Sequence, residues 1–166
     1  MNPDYFGDSY DIVKRFFCGQ LRELGYRVTV DPMFTGDWGG REAAFHRFIG
    51  AFPDERAGSK VALFYDPDTG VAGRASARHV SLQAIAEATT RRELVFSFDQ
   101  SFSRQHDPIR VMQEKLLWLR ERDVAGFYYQ SHASFLFASR SDHALAELKA
   151  ALLATGLPPQ RLIHAA

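Results

Sequence analysis

Ile12, Val13, Phe16, Phe17, Leu21 and Leu24 recur at spacings of three and four, which predicts an amphipathic helix. Asp8 stands where its N-cap belongs and Gly25 where its C-terminal cap belongs. Arg27 to Val30 (RVTV) predicts a strand running into DPMFTGDWGG, and Phe45, Phe48, Ile49 and Phe52 predict a second helix closed by Pro53. Val61 to Tyr65 is a nearly continuous apolar run, as in a strand covered on both faces. A polar loop follows. SLQAIAEAT predicts a short helix from Ser81, and Leu94 to Phe98 (LVFSF) a strand ending at Asp99-Gln100. Asp107 and Pro108 open a helix carrying Ile109, Met112, Leu116 and Leu119. Gly126 to Tyr129 and Ser134 to Ala138 read as a hairpin around Gln130-Ser131-His132-Ala133. Ser141 caps a final helix through Thr155, stopped by Gly156, Pro158 and Pro159, and RLIH adds a last short strand.

Strands alternating with helices predict right-handed βαβ units and an α/β fold. The expected architecture is a three-layer sandwich with a mainly parallel, Rossmann-like sheet and a late antiparallel hairpin near one edge. Residues 1–166 are expected to form a single domain, without repeats or linkers.

Composition changes this picture little. The chain is 46% hydrophobic and 24% charged with zero formal net charge, which argues against a protein that coats nucleic acid through bulk charge. Fourteen Phe point to an aromatic core, and 16 of the 20 basic residues are Arg. The single cysteine, Cys18, lies within the first helix pattern and reads as a packed thiol. MNPDYFGDSYD has neither the basic nor the apolar region of a signal peptide, and no stretch approaches the length of a membrane span. A cytoplasmic protein is expected.

Ligands of open α/β sheets bind outside the carboxyl ends of the strands. Three predicted strand ends carry unusual polar groups: Asp31 with TGDWGG, Asp66-Pro67-Asp68, and Asp99-Gln100-Ser101. In a parallel sheet they converge on one rim, with Tyr128, Tyr129, Gln130 and His132 of the hairpin nearby. Turn chemistry accounts for Asp-Pro and Thr-Gly equally well. Asp66, Asp68 and Asp99 form a candidate all-oxygen site for magnesium or manganese. The six His lack zinc-ligand spacing, and no Gly-x-Ser-x-Gly nucleophile elbow is present. TGDWGG departs from both the dinucleotide and the phosphate-loop spacing.

Asp8, Asp11 and Lys14 are spaced by three and share one helix face, a pattern that capping and an Asp11–Lys14 pair also explain. Tyr5-Phe6-Gly7-Asp8 with Asp11 and Lys14, then Thr35-Gly36-Asp37, then Asp66-Pro67-Asp68-x-Gly70, resembles a group of little-characterised prokaryotic proteins. They share a YFGDxxDxxK opening and a DPDxG strand end. That group in turn resembles a reduced class I S-adenosylmethionine-dependent methyltransferase of the ribosomal RNA adenine-N6 kind. The resemblance implies Asp66 and Asp68 at the reacting centre, and Tyr5, Gly7, Asp8, Asp11, Lys14, Thr35 and Asp37 around an adenine nucleotide-like cofactor. Two departures stand out: Asp68 replaces the second proline of D-P-P-Y, and Thr69 replaces its aromatic.

The leading expectation is therefore a methyltransferase-like domain that binds S-adenosylmethionine or a related nucleotide and acts on nucleic acid. Arg74, Arg78 and His79 are candidate phosphate contacts in it, though a solvated loop accounts for them better. One alternative is a metal-dependent nuclease or phosphohydrolase using Asp66, Asp68 and Asp99. Another is a non-catalytic protein partner in a defence or mobile-element system.

Overall fold

Asp8 accepts hydrogen bonds from the backbone N–H groups of Tyr10 and Asp11, at 2.8 and 3.2 Å, and so starts α1 (Ser9–Glu23) where the sequence predicts. The computed structural model describes residues 1–102 and 105–165. Asp11, Lys14, Phe17, Cys18 and Leu21 form the buried side of α1. Two of them are charged, and they prove to be central to the site. Burial pushes the Cys18 thiol up to about 12, which makes it a packing residue.

β1 (Arg27–Asp31) leads through an irregular loop to α2 (Glu42–Ile49). α2 ends earlier than predicted, at Gly50 rather than Pro53. Gly50 adopts a left-handed φ of 73°, its N–H caps His46, and Arg22 donates to its carbonyl at 3.1 Å. A Cβ there would meet only the movable end of the Arg22 side chain, so it is the left-handed backbone that calls for glycine. β2 (Gly58–Tyr65) follows.

The stretch read as a polar loop contains β3 (Gly70–Ala72) and β4 (His79–Ser81), paired in parallel as a separate two-stranded sheet. Each is three residues long, too short to display a hydrophobic period, yet Val71 and Val80 are buried. Then come α3 (Leu82–Ala88), β5 (Arg92–Phe98), α4 (Pro108–Arg120), β6 (Ala125–Tyr129), β7 (Phe135–Ser139), α5 (Asp142–Ala154) and β8 (Leu162–Ile163).

Six strands form one mixed sheet in the order β1-β2-β5-β7-β6-β8. β1, β2 and β5 are mutually parallel, and β6 runs the same way. β7, the return strand of the predicted hairpin, inserts antiparallel between β5 and β6. Four phenylalanines stack across this sheet in register. Phe64 lies 4.7 Å from Phe96, Phe96 5.7 Å from Phe137, and Phe137 5.0 Å from Phe127, with interplanar angles of 10–18°. These cross-strand contacts use four of the chain's fourteen Phe.

Residues α1, α2 and α5 contribute join the four stacked rings in one apolar cluster. Leu63, Val95, Tyr128 and Leu136, the next positions along the strands, join residues of α3 and α4 in another. The two-residue period of the strands separates the clusters. No helix among the described residues is long and apolar enough to cross a membrane.

Candidate functional site

Because β1, β2 and β5 are parallel, Asp31, Asp66 and Asp99 emerge at the same end of the sheet, and the Asp66 N–H donates to the Asp31 carbonyl at 3.0 Å. The beginning of α1 lies over this end. From it, Lys14 reaches inward and its ammonium donates to Asp11 Oδ1 at 2.8 Å, Asp66 Oδ2 at 2.9 Å and the Met1 sulfur at 3.3 Å. All three donors are used, and the Lys14 side chain is 3% exposed. Asp11 Oδ2 in turn accepts the Gly7 N–H at 2.8 Å, tying the opening turn to the helix.

The electrostatics of this triad follow from counting charges. Burial depresses the Lys14 ammonium, but two adjoining carboxylates outweigh it and the net direction is upward. Asp66 moves upward as well, because burial outweighs Lys14 and the Met1 ammonium, and Asp11 adds like charge. Asp66 Oδ1 has no hydrogen-bond partner among the described residues.

Asp68 sits at the other corner of the DPD turn. Its Oδ2 accepts from the Thr35 hydroxyl at 2.6 Å and lies 3.7 Å from the Arg78 guanidinium. Its Oδ1 lies 2.9 Å from the Met1 α-ammonium, an ion pair whose angle falls short of a hydrogen bond; Coulomb attraction depends on distance, so the pair counts. Burial raises the Asp68 carboxyl, but Thr35, the Met1 ammonium and Arg78 together hold it below the usual carboxylate range.

Asp99 belongs to a different network. Its Oδ1 accepts from the Val71 and Ser101 N–H groups at 2.9 and 3.0 Å, and its Oδ2 from Lys115 at 2.6 Å and the Tyr128 hydroxyl at 2.7 Å. Lys115 also donates to Ser101 Oγ and the Val71 carbonyl. Here burial outweighs a single carboxylate, and the Lys115 ammonium is depressed. Alternation along the strands separates the acids. Phe64 and Phe98 share a cluster, so Asp66 two residues beyond Phe64 lies on that side, while Asp99, one beyond Phe98, lies on the other. Asp66, Asp68 and Asp99 therefore do not fit a shared divalent ion, each being paired with its own ammonium group. Among the described residues no group of three or more His, Cys, Asp or Glu is placed to hold a metal.

Above the triad lies a cavity of about 450 Å³. Tyr5, Tyr10 and Phe98 give it aromatic walls, and Asp8, Lys14, Asp68, Arg78 and Gln100 give it polar groups; Met1, Asn2 and Pro67 complete the lining. Tyr10 packs edge-on against Phe98 at 5.5 Å and stacks on His132 at 5.2 Å, and its hydroxyl is hydrogen-bonded to His132 Nε2 at 2.5 Å. Gln100 Nε2 donates to the His132 carbonyl at 2.6 Å, fixing the hairpin against this wall.

Of the candidate site residues, Tyr5, Asp8, Lys14 and Asp68 line the cavity, while Asp11, Gly7 and Thr35 support those residues from behind. Asp66 lies behind Lys14 and is not among the lining residues. Asp37 is exposed and spends its carboxylate on the Gly39 N–H. Of the three candidate phosphate contacts, Arg78 reaches the cavity, Arg74 does not line it, and His79 bonds Thr69 at 2.7 Å. Sequence reasoning missed Met1, Tyr10, Phe98 and Lys115. Only Lys115 left a signal, a lysine three residues after Met112 on the inward side of α4. The chain matches no protein-family profile, no curated protein and no solved structure.

Proposed function

We propose that the cavity binds a nucleotide-like ligand, and that the chain is a reduced, methyltransferase-like α/β domain of three-layer, Rossmann-like design. The observation that carries the reading is an aromatic-walled cavity of about 450 Å³ at the carboxyl ends of β2 and β5. That volume suits a nucleoside-sized molecule, and the position is where open α/β sheets take their ligands. Tyr5, Tyr10 and Phe98 offer faces for a base, Gln100 and Asp8 offer hydrogen bonds to its edge, and Arg78, 66% exposed at the rim, offers a guanidinium to phosphate. Helices serving both apolar clusters, and the late hairpin that inserts β7 antiparallel, support the fold part of the reading.

S-adenosylmethionine is the cofactor this reading names; when bound it supplies an electrophilic methyl group on sulfur. Asp68 faces the cavity, and Asp66 acts through Lys14, holding its ammonium at the cavity floor. The acceptor in this reading is nucleic acid.

Thermal melts with S-adenosylhomocysteine, S-adenosylmethionine and adenosine monophosphate test the proposal, with magnesium and manganese run alongside. A ligand at a hundred times its dissociation constant adds about 2.7 kcal/mol, or roughly 5–10 °C for a domain this size. A shift with a nucleoside ligand that is lost in Tyr10→Ala is the expected result. A shift with metal alone, lost in Asp68→Asn, would replace this reading by the metal-dependent hydrolase. No shift with any of them would leave the non-catalytic partner.

A further inference from the structure

Residues 73–78 join β3 to β4 and end in a tight turn, in which the Ser76 N–H donates to the His79 carbonyl at 3.0 Å and the His79 N–H to the Ser76 carbonyl at 3.3 Å. The turn brings three side chains into one hydrogen-bonded chain. Thr69 Oγ1 lies 2.7 Å from His79 Nε2, and Ser76 Oγ lies 3.1 Å from His79 Nδ1. Proton positions follow from the donors present. The Thr69 hydroxyl spends its one hydrogen on the Arg78 carbonyl at 2.8 Å, so towards His79 its oxygen accepts and Nε2 carries the ring proton. In the neutral imidazole Nδ1 is then the bare nitrogen, and it accepts from the Ser76 hydroxyl. The Arg78 N–H donates to Ser76 Oγ at 3.2 Å, which leaves the serine hydrogen for the ring. The hydrogen bonds thus run one way, from Ser76 to His79 to Thr69 to a backbone carbonyl. Ser76 is exposed and His79 and Thr69 are half-buried, while the buried Val71 and Val80 anchor the two short strands.

We propose that Ser76 is a nucleophile, His79 its general base and Thr69 the residue that positions the base, and that this site cleaves carboxylic esters whose acyl part carries an anionic group. A hydroxyl bonded to a bare imidazole nitrogen, with the ring oriented by a third group, is the arrangement that activates serine. In the first step Ser76 Oγ bonds to the ester carbonyl carbon and its proton passes to His79 Nδ1. The bond to the alcohol then breaks, and the alcohol leaves with the proton from Nδ1. Water repeats both steps on the acyl-serine, releasing the acid and restoring Ser76. Arg74 and Arg78, two residues to either side of Ser76, are both exposed and give the turn the cationic groups that an anionic acyl chain needs. Ser76, His79 and Thr69 do not line the cavity, so the site stands whether or not the cavity takes a nucleotide.

The test treats the full chain with a fluorophosphonate probe, locates the adduct by tandem mass spectrometry, and compares turnover of p-nitrophenyl succinate and p-nitrophenyl acetate. A single adduct on Ser76 is expected, absent from Ser76→Ala, an exposed position whose variant keeps the fold by circular dichroism. His79→Gln should label at least about a hundredfold more slowly. Thr69→Val should label more slowly and Thr69→Ser at the native rate; a role in folding alone would lower the melting temperature of Thr69→Val and leave the labelling rate of its folded form unchanged. The succinate ester should turn over faster than the acetate, and Arg74→Ala combined with Arg78→Ala should abolish that preference. An unlabelled wild type, an adduct that persists in Ser76→Ala, or equal labelling of wild type and folded His79→Gln would each overturn the nucleophile and its base. Should His79→Gln not fold, wild type against Ser76→Ala still decides. Equal turnover of the two esters by the wild type would overturn the choice of acyl group.

Discussion

Lys14 does more at this site than its place in an ordinary i,i+3 pair suggests. On the surface such a pair contributes a few tenths of a kcal/mol, but here the ammonium stands between two buried acids, one of them fifty-two residues away. Lys14→Met keeps the volume and removes the charge, leaving Asp11 and Asp66 without a counter-ion. The expected loss is about 3–5 kcal/mol at neutral pH, read from urea unfolding. Its pH dependence has a definite sign. The folded-state value of Asp66 lies above its unfolded one, so its destabilising ionisation is absent below the unfolded value and grows as pH rises through the folded value. Without Lys14 that upward displacement increases, so the deficit of Lys14→Met should narrow from pH 7 towards pH 4. A deficit constant over that range would contradict the arrangement.

At the level of elements, the small β3–β4 sheet is what holds the Asp99 network together. Gly70 opens β3 with φ of 119°, and a Cβ on it would lie 2.2 Å from Asp99 Oδ1 and 2.7 Å from the Gln100 nitrogen. Both the backbone conformation and the close approach require glycine. Gly70→Ala should therefore cost roughly 2–4 kcal/mol, from strain and overpacking together. Because Gln100 follows Asp99 directly and fixes His132, the same variant should weaken binding of any cavity ligand. Calorimetry on the variant separates the two effects; unchanged stability would contradict the geometry.

For the whole molecule, one sheet serves both apolar clusters, and each cluster has its own tryptophan. Trp38 is buried in the cluster of α1, α2 and α5, while Trp118 packs against that of α3 and α4. If residues 1–166 form a single folding unit, Trp38→Phe and Trp118→Phe, each leaving one reporter, should show coincident fluorescence transitions once referred to their own stabilities by circular dichroism. Separate transitions would divide the chain into two units. The ammonium–carboxylate pairs at the strand ends belong to this scale too, since each joins segments distant in sequence: Lys14 to Asp66, Met1 to Asp68, and Lys115 to Asp99.

Caps, glycine stops and apolar periods are local, and the sequence alone sufficed to place α1, α3, α4, α5, β1, β5 and the hairpin. The same local logic brought Asp31, Asp66 and Asp99 to one rim, because parallel strands must end together. It did not reach β3 and β4, whose three-residue strands are defined by partners rather than by pattern. Nor did it pair the charges. A carboxylate at a strand end looks the same in sequence whether a metal, a ligand or a lysine from another element answers it. Tertiary packing decided that Asp66 faces Lys14 while Asp99 faces Lys115, and strand parity set the two acids on opposite sides of the sheet. Packing also seated Met1 among Pro32, Met33, Asp66 and Asp68, because burying a charge is stable only where several distant segments supply its partners at once.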